Sequence, residues 1–184
     1  FVPRMARGRG RVPVDRLPYA IDQARQVLAD RRRIVLVGAP PPAGFFAYPG
    51  QPSALWHPEA ELLVLARPEH DALDALQRLA EALDAPRHVA LPRAARAESL
   101  PTGDFSSEKF GQLLAHLLPE NAIVVEDAVT SGRALFAPTF GAAPIDWLQN
   151  TGGAIGAGMP LAAGAAVACP DRKVVCLQAD GAGM

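Results

Sequence analysis

Asn150-Thr151-Gly152-Gly153-Ala154-Ile155-Gly156-Ala157-Gly158-Met159-Pro160 leads into an alanine-rich run to Ala168. Pro170 and then Lys173-Val174-Val175-Cys176-Leu177-Gln178 come next. Glycines let the backbone pass close to a bulky neighbour without a Cβ in the way. Pro160 stands where a helix opens, a position that tolerates its missing N–H. The pattern predicts a helix over 159–168, stopped by Pro170, and then a buried strand over 173–178. A glycine loop feeding a helix start presents free N–H groups and a positive dipole end, a place for phosphate or diphosphate. Close helix–sheet packing uses glycine too, and Ala162-Ala163-Gly164-Ala165-Ala166 suits that equally, so the loop alone leaves both open. It holds neither the dinucleotide fingerprint nor the Gly-Lys-Ser/Thr of a P-loop.

Asp180 lies about 20 residues after the helix start, at the end of the last strand between Ala179 and Gly181. A lone Asp at a strand end commonly caps or turns the chain. Beside a helix that holds diphosphate it has a second use. Magnesium takes hard oxygen ligands and bridges one carboxylate to phosphate oxygens.

Working upstream, Ala122-Ile123-Val124-Val125 reads as a strand whose end runs into the loop Glu126-Asp127-Ala128-Val129-Thr130-Ser131-Gly132. In open parallel sheets that end is where ligands bind. Ser106 or Ser107 caps a helix to Leu118, with Phe110, Leu113, Leu114 and Leu117 inward and Pro119 as the stop. The first half repeats the alternation of helix and strand. A helix over 15–30, capped by Asp15, carries Ile21, Ala24, Val27 and Leu28 on one face and closes on Arg31-Arg32-Arg33. Ile34 to Gly38 and Glu61 to Ala66 read as strands buried on both faces. A Pro/Gly/aromatic loop, 39–52, lies between them. Residues 69–84 form an amphipathic helix through Leu73, Leu76, Leu79, Ala80 and Leu83. The stretch 85–104, with Pro86, Pro92 and Pro101, lacks periodicity, and a linker is placed at 89–104.

Composition narrows the function. In 184 residues, 49% hydrophobic, 18 basic side chains meet 19 acidic ones. The near-neutral balance argues against nucleic acid or an anionic membrane as the main partner. Nine of the basic residues fall within 1–33, giving +6 there and −7 beyond. Arg7, Arg9 and Arg11 read as solvated residues of a glycine-bearing loop. No apolar run is long enough to span a bilayer, and the N-terminus does not read as a secretory signal. Cys169 and Cys176 are seven apart, without the spacing of a zinc site, and read as small core residues in a reducing compartment. His57, His70, His88 and His116 show no ligand spacing. A chain running from Phe1-Val2-Pro3 to Gly183-Met184 reads as a piece of a longer one.

Together, Asn150 to Gly181 resembles the diphosphate-binding domain of thiamine-diphosphate-dependent enzymes of the acetolactate synthase and benzoylformate decarboxylase group. Gly153 to Pro160 is similar to that family's glycine loop and helix start. Ala179-Asp180-Gly181 is similar to the opening of its Gly-Asp-Gly metal motif, with Ala in place of the first Gly. Residues 122–131 resemble the domain's first strand and cofactor loop. Residues 15–83, including Leu36-Val37-Gly38 and Phe45 to Gly50, resemble the second half of the central, non-catalytic domain. The fold expected is α/β, parts of two doubly wound parallel-sheet domains: 1–88 the C-terminal half of the central domain, 89–104 a linker, and 105–184 the N-terminal part of the cofactor-binding domain.

The resemblance implies thiamine diphosphate and Mg²⁺ as cofactors. Asp180 would be the metal ligand, and Gly181 and Ala182 would offer amides to phosphate. Gly153 would let the loop approach, Ile155 would prop the bent cofactor, and Thr130 and Ser131 would be hydroxyl donors near the diphosphate. Glu126-Asp127 stands in the reverse of the family's order, and neither acid is assigned. The family's catalytic glutamate belongs to an N-terminal domain, and an Asn further along completes its metal site; the chain contains neither. The implied activity is decarboxylation or carboligation of a 2-keto acid by a cytoplasmic parent enzyme, a homodimer or homotetramer, of which this chain alone would be inactive. Two alternatives from other classes are a non-catalytic α/β module binding a nucleotide or coenzyme, and a purely structural α/β domain.

Overall fold

The computed structural model describes residues 3–91 and 99–184. The chain is α/β, and it divides into two units: Asp15–Val89, and a larger one combining the segment up to Val14 with Ala90 onward. Of the linker placed at 89–104, residues 92–98 lie outside the described residues, as do Phe1 and Val2.

The larger unit is built on a four-stranded sheet in the order β1 (Arg4–Arg7), β5 (Ile145–Gln149), β4 (Ile123–Asp127) and β6 (Val174–Gln178). β4 is central. It pairs in parallel with β5 on one side and β6 on the other. β4 is buried along its whole length, as a central parallel strand covered on both faces must be. α3 (Ser107–Leu117) opens on Ser106, whose hydroxyl accepts from the Lys109 amide at 3.2 Å, as the sequence predicts. It packs on α4 (Val129–Phe136) and on a 3-10 turn, Ala137–Gly141. α5 (Gly158–Ala168) lies on β4 and β6, and a last helical turn, α6 (Asp180–Gly183), comes after β6. The core gathers Met5, Leu114, Leu118, Val124, Leu135, Phe136, Ile145, Trp147 and Leu177.

The N-terminal segment differs from the sequence expectation. Arg4–Arg7 forms β1, antiparallel to β5 in the larger unit's sheet, and not part of one body with residues 15–88. Arg7 is not solvated: it is 2% exposed. Its Nε donates to Thr139 Oγ1 at 3.0 Å and a terminal nitrogen donates to the Phe136 carbonyl at 2.5 Å. Its guanidinium lies 3.4 Å over the Phe136 ring and 4.0 Å over that of Phe140. Five elements and turns escaped the sequence reading: β1, α4, the 3-10 turn, β5 and α6. α4 begins inside the stretch taken as a loop.

Asp146 on β5 ties this unit further. It accepts from Arg4 at 2.9 Å and Arg172 at 2.7 Å. Burial pushes its carboxyl up, but the hydrogen bonds and charges of Arg4 and Arg172 outweigh this and hold it below the usual carboxylate range. A lowered folded-state pKa gives stability that is complete above the unfolded value, about 3.9, and lost as pH falls through the folded one. Urea midpoints are therefore expected to hold between pH 7 and 5 and to fall below about pH 4. Asp146→Asn should flatten the acid limb; an unaltered limb in that variant would remove Asp146 as its cause.

The smaller unit holds α1 (Ile21–Leu28), the parallel pair β2 (Arg33–Val37) and β3 (Glu61–Ala66), and α2 (Ala72–Ala82). Three expectations are corrected. α1 starts at Ile21 with Ala20 at its cap, not at Asp15, because Pro18 drives Leu17 away from helical backbone. The arginine run does not close the helix; Arg33 opens β2 and pairs with Glu61 at 3.4 Å. Nor are the strands buried on both faces: Val35 is 50% and Val64 58% exposed. A strand face is buried only by a layer packed over it, and these side chains are left partly uncovered on their faces. α2 is held by Asp71, which accepts from the Leu73 and Asp74 amides, both at 3.0 Å.

Candidate functional site

Three parallel strands end side by side, and the segments leaving their carboxyl ends form the candidate site. After β4 come Ala128 and the start of α4, with Thr130 and Ser131. After β5 comes the glycine loop, 150–157, with Gly153 and Ile155. After β6 come Ala179 and α6, with Asp180, Gly181 and Ala182. A Cβ placed on Gly156 would lie 3.7 Å from the Ala182 carbonyl oxygen, so the glycine loop and the α6 segment are neighbours. All seven residues assigned from the sequence thus lie at the carboxyl ends of adjacent strands, the usual mouth of an open parallel sheet.

Local conformation suits an approach by something bulky. Gly152, Gly153 and Gly156 have φ of +65°, +68° and +96°, which glycine adopts freely. A Cβ on Gly152 or Gly181 would meet no atom within 4 Å. Ile155 is 65% exposed, an apolar side chain held out at the mouth. Val129 has φ +45°, an uncommon conformation for a β-branched residue, so the turn from β4 into α4 is tightly constrained. Thr130 is exposed. Ser131 is exposed too, but its hydroxyl already donates to the Ala128 carbonyl at 2.9 Å, which leaves its oxygen as an acceptor. Asp180 is exposed as the first residue of α6. Among the described residues no three His, Cys, Asp or Glu side chains gather to hold a metal. Both cysteines are free thiols.

One expectation is overturned. The amide of Gly158, which opens α5, and that of Gly156 in the loop before it do not face an empty mouth. Asp127, the last residue of β4 and 1% exposed, takes them. Its Oδ2 accepts from the Gly156 amide at 2.9 Å, the Gly158 amide at 3.1 Å and Gln178 Nε2 at 3.2 Å, and its Oδ1 accepts from Asn150 Nδ2 at 2.8 Å. Pro160 has no N–H to add. A phosphate at these amides would have to displace a carboxylate that four donors hold. Burial pushes the Asp127 carboxyl up, but the bonds from Asn150, Gly158, Gly156 and Gln178 outweigh burial and lower it. The sequence left Asp127 unassigned because its partners lie 23 to 51 residues away. An acid at a strand end upstream of a glycine loop was the available signal.

Residues 136–184 match the family described as thiamine pyrophosphate enzyme, C-terminal TPP binding domain. The whole chain aligns at 47% identity with the "Putative acetolactate synthase large subunit IlvX" of Mycobacterium tuberculosis (strain ATCC 25618 / H37Rv), covering 35% of that protein. An alignment over 76 residues, covering 34% of this chain and 12% of the relative, shows 42% identity to the "Probable acetolactate synthase 2, chloroplastic" of Oryza sativa subsp. japonica. The chain therefore spans about a third of the first relative's length and less of the second's. Among solved structures, the Rhodococcus jostii RHA1 thiamine diphosphate-dependent 4-hydroxybenzoylformate decarboxylase superposes with a TM-score of 0.65 at 22% identity. That match covers 90% of this chain and 34% of the decarboxylase, a likeness of fold.

Proposed function

We propose, from the similarity of residues 136–184 to the thiamine pyrophosphate enzymes and of the whole chain to an acetolactate synthase large subunit, that the chain supplies the diphosphate and Mg²⁺ end of a cofactor site in an enzyme acting on 2-keto acids. The observation that carries the proposal is the convergence of the three strand ends, with the glycine loop beside α6. Residues 1–88 then serve as the C-terminal half of a central domain, with Arg4–Arg7 lent to the other sheet. Residues 105–184 serve as part of the cofactor-binding domain.

Each residue has a task. Asp180 offers an exposed carboxylate, and magnesium bound to phosphate oxygens needs no more than one or two. Gly181 and Ala182 offer amides, Gly153 keeps the approach clear, Ile155 supports the apolar part of the cofactor, and Thr130 and Ser131 complete the polar rim. When bound, thiamine diphosphate supplies the electron sink for cleaving or forming a bond beside a carbonyl. This chain's part is to bind and orient; its residues include no assigned acid–base catalyst. The parent enzyme, decarboxylase or carboligase, is proposed as a cytoplasmic homodimer or homotetramer. Among the described residues no helix is long and apolar enough to cross a membrane.

Calorimetric titration of thiamine diphosphate with MgCl₂ into the chain is the test. Asp180→Ala is expected to weaken binding at least about tenfold, the loss of one charged ligand, and EDTA to weaken it as much. Equal affinity in the variant would contradict the metal role. The second reading is a non-catalytic coenzyme-binding module; binding that survives chelation would select it.

A further inference from the structure

Asp127 sits where three elements meet, and its four donors come from three different places. Asn150 stands just past β5, Gly156 and Gly158 span the glycine loop and the first residue of α5, and Gln178 ends β6. The carboxylate thus fastens the ends of β5, β4 and β6 to the loop. The packing is close as well. A Cβ on Gly158 would lie 2.5 Å from Asp127 Cβ and 2.6 Å from Gln178 Oε1. Beside it, the buried Asn150 Oδ1 has no hydrogen-bond partner. The outward result is Ile155, one residue before the braced Gly156 amide, held 65% exposed at the mouth.

We propose that Asp127 is the positioning residue of the glycine loop: its carboxylate fixes residues 150–158 in the conformation that receives the cofactor, without touching the cofactor itself. The proposal rests on the cofactor reading above. It also implies that the anionic end of the cofactor is held away from the start of α5, because that start already faces a carboxylate. The brace depends on reach. Two oxygens on a short side chain serve two amides and two side-chain amides at 2.8–3.2 Å, and one extra methylene cannot keep that set. An amide in place of the carboxylate can. Its oxygen would accept from the two glycine amides and Gln178, and its NH₂ would donate to Asn150 Oδ1 once the Asn150 amide turns over.

Two variants therefore separate geometry from charge. Asp127→Asn keeps the reach and drops the charge; Asp127→Glu keeps the charge and drops the reach. The readouts are hydrogen exchange at the Gly156 and Gly158 amides and the calorimetric affinity for thiamine diphosphate with MgCl₂, both on the whole chain. Asp127→Asn is expected to stay within about threefold of the wild type in both. Asp127→Glu is expected to lose about tenfold or more in both, the value of hydrogen bonds to a charged group. Exchange at Val124 and Val125 in central β4 stays unchanged if the sheet remains folded. An Asp127→Glu chain with wild-type protection or wild-type affinity overturns the proposal. So does an Asp127→Asn chain that keeps protection but loses affinity, since the charge and not the loop would then matter. Failure of the wild-type chain to take up the cofactor removes the functional reading, and this proposal with it. Wild-type binding with an indifferent Asp127→Glu removes the proposal alone.

Discussion

Arg7→Ala is expected to destabilise the larger unit by about 3 kcal/mol, a loss typical of emptying a buried site that carries hydrogen bonds. The side chain fills the space among Phe136, Phe140 and Trp147, with its guanidinium 3.4, 4.0 and 5.8 Å from the three ring centres. Alanine leaves a void under those rings and removes the donors to Thr139 and the Phe136 carbonyl. The carbonyl keeps one donor, the Thr139 hydroxyl at 2.6 Å, which limits the loss. The stacking itself contributes about 2 kcal/mol when the cation is out of water. Arg7→Lys should recover little, because an ammonium cannot lie flat on two rings and donate sideways at once. Arg7→Met should recover the packing but not the bonds. Urea unfolding followed by Trp147 fluorescence, in a Trp56→Phe background, reads the larger unit alone. A midpoint for Arg7→Ala within experimental scatter of the wild type would show that β1 contributes nothing to that unit.

That prediction could not be made from sequence, and the reason is physical. Arg7 lies in Arg-Gly-Arg-Gly-Arg, which has the local character of a solvated turn; its burial depends on rings about 130 to 140 residues away. β1 exists only because β5 offers an edge to pair with. The elements the sequence did declare carry their own punctuation: Ser106 and Pro119 around α3, and the glycines with Pro160 and Pro170 around α5. α4 has no side-chain cap and starts from a left-handed Val129, so nothing local announces it. β5 went unread because its burial departs from its letters: Ile145, Trp147 and the polar Gln149 are buried, while Asp146 and the apolar Leu148 are half-buried.

The site divides the same way. Its location is set by where buried strands end, and those ends were readable from the apolar runs. Its wiring was not. The positive end of α5 attracts an anion, as the helix dipole requires, but the anion comes from within the chain. A helix start declares its need locally, whereas the carboxylate that meets it arrives through tertiary structure, from a strand 31 residues upstream.

The second large effect belongs to Gly158. Alanine there would place a methyl 2.5 Å from Asp127 Cβ, 2.6 Å from Gln178 Oε1 and 3.1 Å from Asp127 Oδ2. The first of these is held by the β4 backbone and cannot swing aside. The first turn of α5 must back away instead, and the bonds from the Gly156 and Gly158 amides to Asp127 stretch with it. Overpacking costs about 1–3 kcal/mol, and each weakened bond to the carboxylate adds about 1.5–3 kcal/mol at most. The gain in helix propensity, about 1 kcal/mol, does not offset this. Gly158→Ala is therefore expected to destabilise by about 3 kcal/mol or more and to abolish cofactor uptake at temperatures where the sheet is still folded. Gly164→Ala, six residues on in the same helix, is the matched control. A Cβ there meets no atom within 4 Å, so the propensity term stands alone and stability should rise by up to about 1 kcal/mol. Opposite signs from one substitution type in one helix cannot come from helix propensity. They arise only if the start of α5 is pressed against Asp127, and two midpoints shifting in the same direction would show that it is not.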